Sequence, residues 1–151
     1  MTDQATIDAG VPVVLAFSYQ RICDLVTTAI ETPVGDWFTK ADATAELKQR
    51  AMTIAKARDD RGPWYAVPEL YAQSDFQLTV TADNPESTNG KGRYILKTLT
   101  MEDFQRALIL MATKDDGTYS RHFADFLRGN EDACTADLFM QFAVYGEEVF
   151  S

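Results

Sequence analysis

Apolar residues recur along this chain with two periods, one helical and one extended. Ile22, Leu25, Val26, Ala29 and Ile30 fall at i, i+3, i+4, i+7 and i+8, which puts a single apolar stripe on a helix. Ser18 precedes them as an N-cap and Pro33 marks the end. "TAELKQRAMTIAKARDD" predicts a second helix, with Leu47, Ala51, Ile54 and Ala55 on one stripe and Glu46 four residues before Arg50. Phe104, Ala107, Leu108 and Met111 form a third stripe. It opens on Thr100 and Asp103, a capping box with Asp in place of the usual Glu or Gln. "YSRHFADFL" predicts a short helix ended by Gly129, with Phe123, Phe126 and Leu127 on its buried side. Thr135 is the expected cap of "ADLFMQFAVYGEEVF", with Leu138, Phe139, Phe142 and Ala143 pointing inward.

The extended period is clearest where Phe76, Leu78 and Val80 alternate with Gln77, Thr79 and Thr81, a strand with one wet face. "DNPESTNGKG" is a turn and "RYILKTL" the returning strand of a hairpin. "VPVVLAF", with Pro12 near its beginning, and "VGDWFTKA" read as further strands. The expected fold is α+β: a small antiparallel sheet of about four strands, with four to five helices packed mainly on one face. No internal repeat or domain boundary interrupts it, so residues 1–151 form one expected domain, with residues 1–10 a loose N-terminal arm.

An apolar fraction of 46% over 151 residues supports one good core. The charge balance is less ordinary: 23 acids against 14 bases give a formal net charge of -9. That opposes direct binding to a nucleic-acid backbone or an anionic membrane surface, and suits a basic protein partner. The excess is uneven, because residues 115–151 hold eight acids and two bases. Asp115, Asp116, Glu131, Asp132, Asp137, Glu147 and Glu148 fall in turns or near helix ends, and are the candidate partner-binding residues.

Cys23 and Cys134 are far apart and form no C-x-x-C, so both are expected to be free thiols in a reducing compartment. The opening "MTDQATIDAG" lacks the basic start of a signal peptide. "VPVVLAF" is far shorter than the roughly 20 residues that span a bilayer. The expected location is cytoplasmic.

The inventory for chemistry is sparse. His122 is the only histidine, with Asp125 one turn later, but Ser120 is too near in sequence to serve it as a nucleophile. The G-x-S-x-G elbow is absent, and "DDGTYSRHFADF" lacks the alternating oxygens of a calcium loop. "NGKG" lacks the spacing of a phosphate-binding loop. No catalytic residue, metal site or cofactor is expected. Arg61, Trp64, Tyr65 and Tyr71, in "DRGPWYAVPELY", are the alternative candidates: a cation and three rings able to clamp a nucleotide-like ligand.

"RICDLVTTAIE" and "RHFADFLRGNEDACTADLFMQFAVYGEEVF" resemble a family of small uncharacterised bacteriophage and prophage proteins. "TPVGDW" replaces the glycine-rich aromatic stretch usual after that family's first helix. The resemblance implies a phage or prophage accessory protein in the cytoplasm of the host cell, and it assigns no activity. Two functions follow as expectations. The first is binding to a host protein with a basic surface, for instance as an inhibitor of a nucleic-acid-handling or defence complex. The second is small-molecule or nucleotide binding by the Arg61–Tyr71 aromatic region.

Overall fold

The computed structural model describes residues 4–87, 92–114 and 116–150. A short exposed helix, α1 (Gln4–Asp8), lies within the segment expected to be a loose arm. Residues 1–3, 88–91, 115 and 151 lie outside the described residues, and with them part of the expected turn and the candidate Asp115.

Helix α2 (Tyr19–Glu31) begins where expected: the Ser18 side chain accepts the Arg21 N–H, satisfying one orphan donor of the first turn. Its stripe of Ile22, Leu25, Val26 and Ala29 is buried. Helix α3 (Ala45–Ala57) is capped by Thr44, and buries Leu47, Ala51 and Ala55. Arg50 reaches past Glu46 and pairs with Asp75. Helix α5 (Met101–Thr113) starts with the Thr100–Asp103 capping box and buries Phe104, Ala107, Leu108 and Met111.

The sheet has three antiparallel strands, ordered β1 (Phe38–Asp42), β2 (Leu78–Asp83) and β3 (Tyr94–Leu99). Leu78 pairs with Leu99 and Asp83 with Tyr94, so β2 and β3 are the expected hairpin. Along β2 the residues alternate, with Leu78, Val80 and Ala82 buried under the helices. Leu96 remains 75% exposed on β3, because the opposite face of the sheet is open there.

About four strands were expected, and the difference lies at residues 11–17. "VPVVLAF" runs as chain outside any strand, because no sheet edge lies along it. Only Phe17 is anchored, 4.8 Å from Phe126. Residues 64–71 are helical: a 3-10 turn (Trp64–Ala66) leads to α4 (Pro68–Tyr71), with Pro68 at the helix start, where its missing N–H costs nothing.

Helices α6 (Gly117–Leu127) and α7 (Ala133–Tyr145) complete the chain. Two details differ from the pattern reading. On α6 only Phe126 is fully buried; Phe123 is half-buried and Leu127 is 45% exposed. On α7 the N-cap is Asp132, whose carboxylate accepts the Thr135 N–H at 2.9 Å. Thr135 sits inside the first turn, fully buried. Helix α7 packs against α2, α5, α6 and β3, so it buries Met140, Gln141 and Val144 as well as the expected stripe. Gly146 ends it at φ 75, a left-handed cap for which glycine has no steric cost.

Candidate functional site

The acidic candidates of the last quarter separate into three places. At the α6–α7 turn, Asp132 is spent on the α7 cap, and its pKa is lowered chiefly by the Thr135 N–H. Glu131 faces Arg21 at 3.6 Å. That guanidinium lies 4.2 Å over the Phe126 ring and donates to the Phe126 carbonyl, tying α2 to α6. At the opposite end of α6, Asp116 caps the helix by accepting the Thr118 N–H at 2.8 Å. The Tyr119 hydroxyl donates there to Glu148 at 3.3 Å. Its pKa is raised, first by burial and then by the charges of Glu148, Asp116 and Glu147, which all stand close to it. Asp115 lies outside the described residues.

Asp137 occupies the third place. It projects from α7 toward β1, and its Oδ1 accepts the Trp37 indole N–H at 2.7 Å. Its Oδ2 accepts the Gln141 Nε2 amide at 2.8 Å. Gln141, 1% exposed, latches the end of the chain: its Oε1 accepts the backbone N–H groups of Val149 and Phe150 at 2.9 and 2.8 Å. Its Nε2 also donates to the Phe150 carbonyl at 2.7 Å. The latch holds the Phe150 ring parallel to Trp37, with centroids 6.2 Å apart, and Tyr145 lies 5.6 Å from Trp37.

These groups wall a pocket of about 400 Å³, lined by Val34, Gly35, Asp36, Trp37, Asp83, Asp137 and Phe150. The Tyr145 hydroxyl donates to the Asp83 carbonyl at 2.5 Å, and its pKa is pushed up to about 12 by burial and the nearby Asp83 charge. Among the described residues, the Asp83 Oδ1 is buried and has no hydrogen-bond partner. Three carboxylates beside aromatic rings suit a ligand that brings positive charge and N–H donors. They do not assemble a nucleophile and base. Among the described residues, no three His, Cys, Asp or Glu side chains are grouped to hold a metal.

Sequence reasoning found Asp137 here but missed Asp36, Trp37, Asp83, Gln141 and Phe150. Their one local signal is "DW" at 36–37, an acid next to a large ring; the rest is joined only by the fold.

His122 turns toward α7, where its Nδ1 and the Thr135 hydroxyl share a 2.8 Å hydrogen bond. The same hydroxyl lies 3.1 Å from Asp132 Oδ1. A hydroxyl, an imidazole and a carboxylate thus meet, but in the wrong order for catalysis: the hydroxyl stands between the other two. Thr135 is also 0% exposed, out of reach of any substrate.

The aromatic candidates divide between core and surface. Tyr71 is 2% exposed, 4.6 Å from Phe76, and its hydroxyl donates to the Tyr65 carbonyl at 2.8 Å. The Tyr65 hydroxyl donates to Glu31 at 3.2 Å, and Trp64 packs edge-on against the Tyr65 ring. Arg61 lines a groove of about 780 Å³ with Gln49, Met52, Thr53, Lys56 and Asp60, on the outer side of α3.

No helix among the described residues is long and apolar enough to cross a membrane. No family model, no curated protein and no solved structure matches the chain.

Proposed function

We propose that the protein works by binding another protein, and that its working surface is the acidic, aromatic pocket around Trp37 with the adjoining acids of the C-terminal tail. The partner is a host protein with a basic surface. The chain itself is a phage or prophage accessory product acting in the host cytoplasm, a reading supported by the resemblance of residues 21–31 and 121–150.

The observation that carries the binding reading is the grouping of Asp36, Asp83 and Asp137 with Trp37 and Phe150 around one pocket. A lysine or arginine side chain at the pocket would meet these carboxylates beside the aromatic rings. Glu147 and Glu148 precede Phe150 on the same tail, beside Tyr119, and add to the negative charge of this part of the chain. Such a field steers a basic partner into contact. Surfaces that grip nucleic acid carry the required lysines and arginines, so occupying one blocks its access to phosphate. Inhibition of a nucleic-acid-handling or defence complex is the corresponding role.

The second reading is a small-molecule or nucleotide binder in the Arg61–Tyr71 region; of its four candidates Arg61 lines the groove on α3, whereas Trp64, Tyr65 and the buried Tyr71 do not. Two variants separate the readings in co-purification from infected or lysogenic cells. Asp36→Lys/Glu147→Lys is expected to lose the partner that the wild-type chain retains, and Arg61→Ala/Trp64→Ala to keep it. The reverse pattern contradicts the acidic-pocket reading.

A further inference from the structure

The two edges of the sheet differ. β1 is an irregular edge, because its register with β2 shifts between Phe38 and Lys40. β3 is the opposite edge and pairs with β2 from Tyr94 to Leu99 without a shift. The ladder fixes where its backbone groups point. The Asn84 N–H donates to the Arg93 carbonyl at 2.8 Å, so Arg93, Ile95, Lys97 and Leu99 turn their N–H and C=O groups toward β2. The Asp83 N–H donates the other way, to the Trp37 carbonyl at 2.7 Å, which fits the same alternation. Tyr94, Leu96 and Thr98 therefore aim their N–H and C=O groups away from the sheet. Among the described residues no loop, helix or side chain hydrogen-bonds to those groups, and all three residues are exposed.

We propose that the β3 edge takes an extended segment of a partner polypeptide as a fourth strand, with carboxylates on that segment meeting Arg93 and Lys97. Backbone chemistry fixes the conformation of the occupant: donors and acceptors alternating at strand spacing are matched along their length by another strand. Charge fixes its side chains. The chain carries 23 acids, yet residues 87–101 contain none. Among the described residues neither Arg93 nor Lys97 enters an ion pair. The Arg93 guanidinium lies 5.1 Å over the Tyr94 ring, at one end of the edge. Lys97 pairs across the ladder with the buried Val80, nearer the other end. A lysine on an edge strand keeps other strands from pairing there unless they bring it a carboxylate. A second copy brings none, since its own β3 lies in the same acid-free stretch. The formal net charge of -9 repels an acidic segment only at a distance, because salt screens charges beyond about 8 Å at physiological ionic strength. This edge is independent of the Trp37 pocket, whose proposed partner is basic.

Amide hydrogen exchange and ¹⁵N–¹H spectra of the full chain, with and without the synthetic peptide TEVVVET, test the proposal. In the free protein the N–H groups of Ile95, Lys97 and Leu99 are expected to exchange slowly, and those of Tyr94, Leu96 and Thr98 rapidly. The peptide is expected to shift the second set saturably and to slow its exchange. The lysine counterpart TKVVVKT is expected to bind at least about tenfold more weakly. Leu96→Pro deletes one outward N–H and no bond to β2, so it is expected to abolish binding with the far-UV circular dichroism unchanged. If the proline disturbs folding, Arg93→Glu/Lys97→Glu carries the test, and is expected to prefer TKVVVKT. The absence of a saturable shift overturns the proposal, as does equal binding of the two peptides or binding indifferent to these substitutions. Slow exchange of Tyr94, Leu96 and Thr98 in the free protein that is lost on dilution also overturns it, by giving the edge to a second copy.

Discussion

The Trp37 indole N–H donates to the Asp137 carboxylate at 2.7 Å, joining two residues 100 positions apart. The contact fastens the segment before β1 to α7. It also aligns Asp137 to receive Gln141, which in turn holds the last residues of the chain. One carboxylate thus orders the pocket wall from both sides.

Removing that carboxylate should therefore loosen several groups together. Asp137→Ala leaves the Trp37 N–H and one Gln141 donor unpaired, and should cost about 1–3 kcal/mol in urea unfolding. Asp137→Asn keeps an oxygen for the indole and should cost less. Equal effects of the two substitutions would mean that the indole bond contributes nothing.

Core truncation should follow the observed burial. Phe142 is 0% exposed, and Phe142→Ala should cost about 3–5 kcal/mol. Phe123 is only packed against the core edge, so Phe123→Ala should shift the urea midpoint distinctly less. A larger loss at Phe123 would contradict the orientation of α6.

These two residues show how far the pattern could be read. The stripes on α2, α3 and α5 were legible because each of these helices buries one face, and periodicity encodes one face directly. Helix α7 is buried nearly all round, so its periodicity hid the inward role of Gln141. Residues 11–17 have the composition of a strand, but strand formation needs a neighbour, and the sequence does not say whether one is present. Of the pocket, Asp137 was legible as a charge near a helix end. Asp83 and Phe150 were not, because their meeting with Trp37 depends on the packing of β2, α7 and the tail.

The His122–Thr135 contact gives a prediction about stability. His122→Gln should alter stability by about 1 kcal/mol or less, as changes at partly exposed positions usually do. Thr135→Val should cost about 1–3 kcal/mol, since it strips donors and acceptors from a buried site that also touches Asp132. A double-mutant cycle in urea should show coupling between the two of about 0.5 kcal/mol or more, and strict additivity would mean that the bond contributes nothing.

The two thiols should behave differently. Cys134 is exposed, whereas Cys23 is buried and its pKa is raised to about 11, chiefly by desolvation. A thiol reagent near neutral pH should label one cysteine quickly and the second only on unfolding. The raised pKa also has a consequence for stability. Folding favours the protonated Cys23 thiol, so its contribution is fully present below the ordinary thiol value of 9.0. It is lost as pH rises from there through about 11. Tyr145, raised to about 12, acts with the same sign at still higher pH. Urea midpoints should fall across this alkaline window, and Cys23→Ser should flatten the fall. Rapid labelling of both cysteines in the folded protein would contradict the burial of Cys23.

The account's central claim is that a basic side chain docks in the Trp37 pocket, and the chain's two tryptophans make it directly measurable. Trp37 lines that pocket, and Trp64 lies in the competing aromatic region. In a ¹⁵N–¹H correlation spectrum, each indole N–H gives its own resonance. Titration with an arginine- and lysine-rich peptide should move the Trp37 resonance saturably and leave the Trp64 resonance in place. The movement should shrink as salt rises and disappear in Asp36→Lys/Glu147→Lys. A shift at Trp64 with Trp37 unmoved, or no saturable shift at either, would contradict the claim.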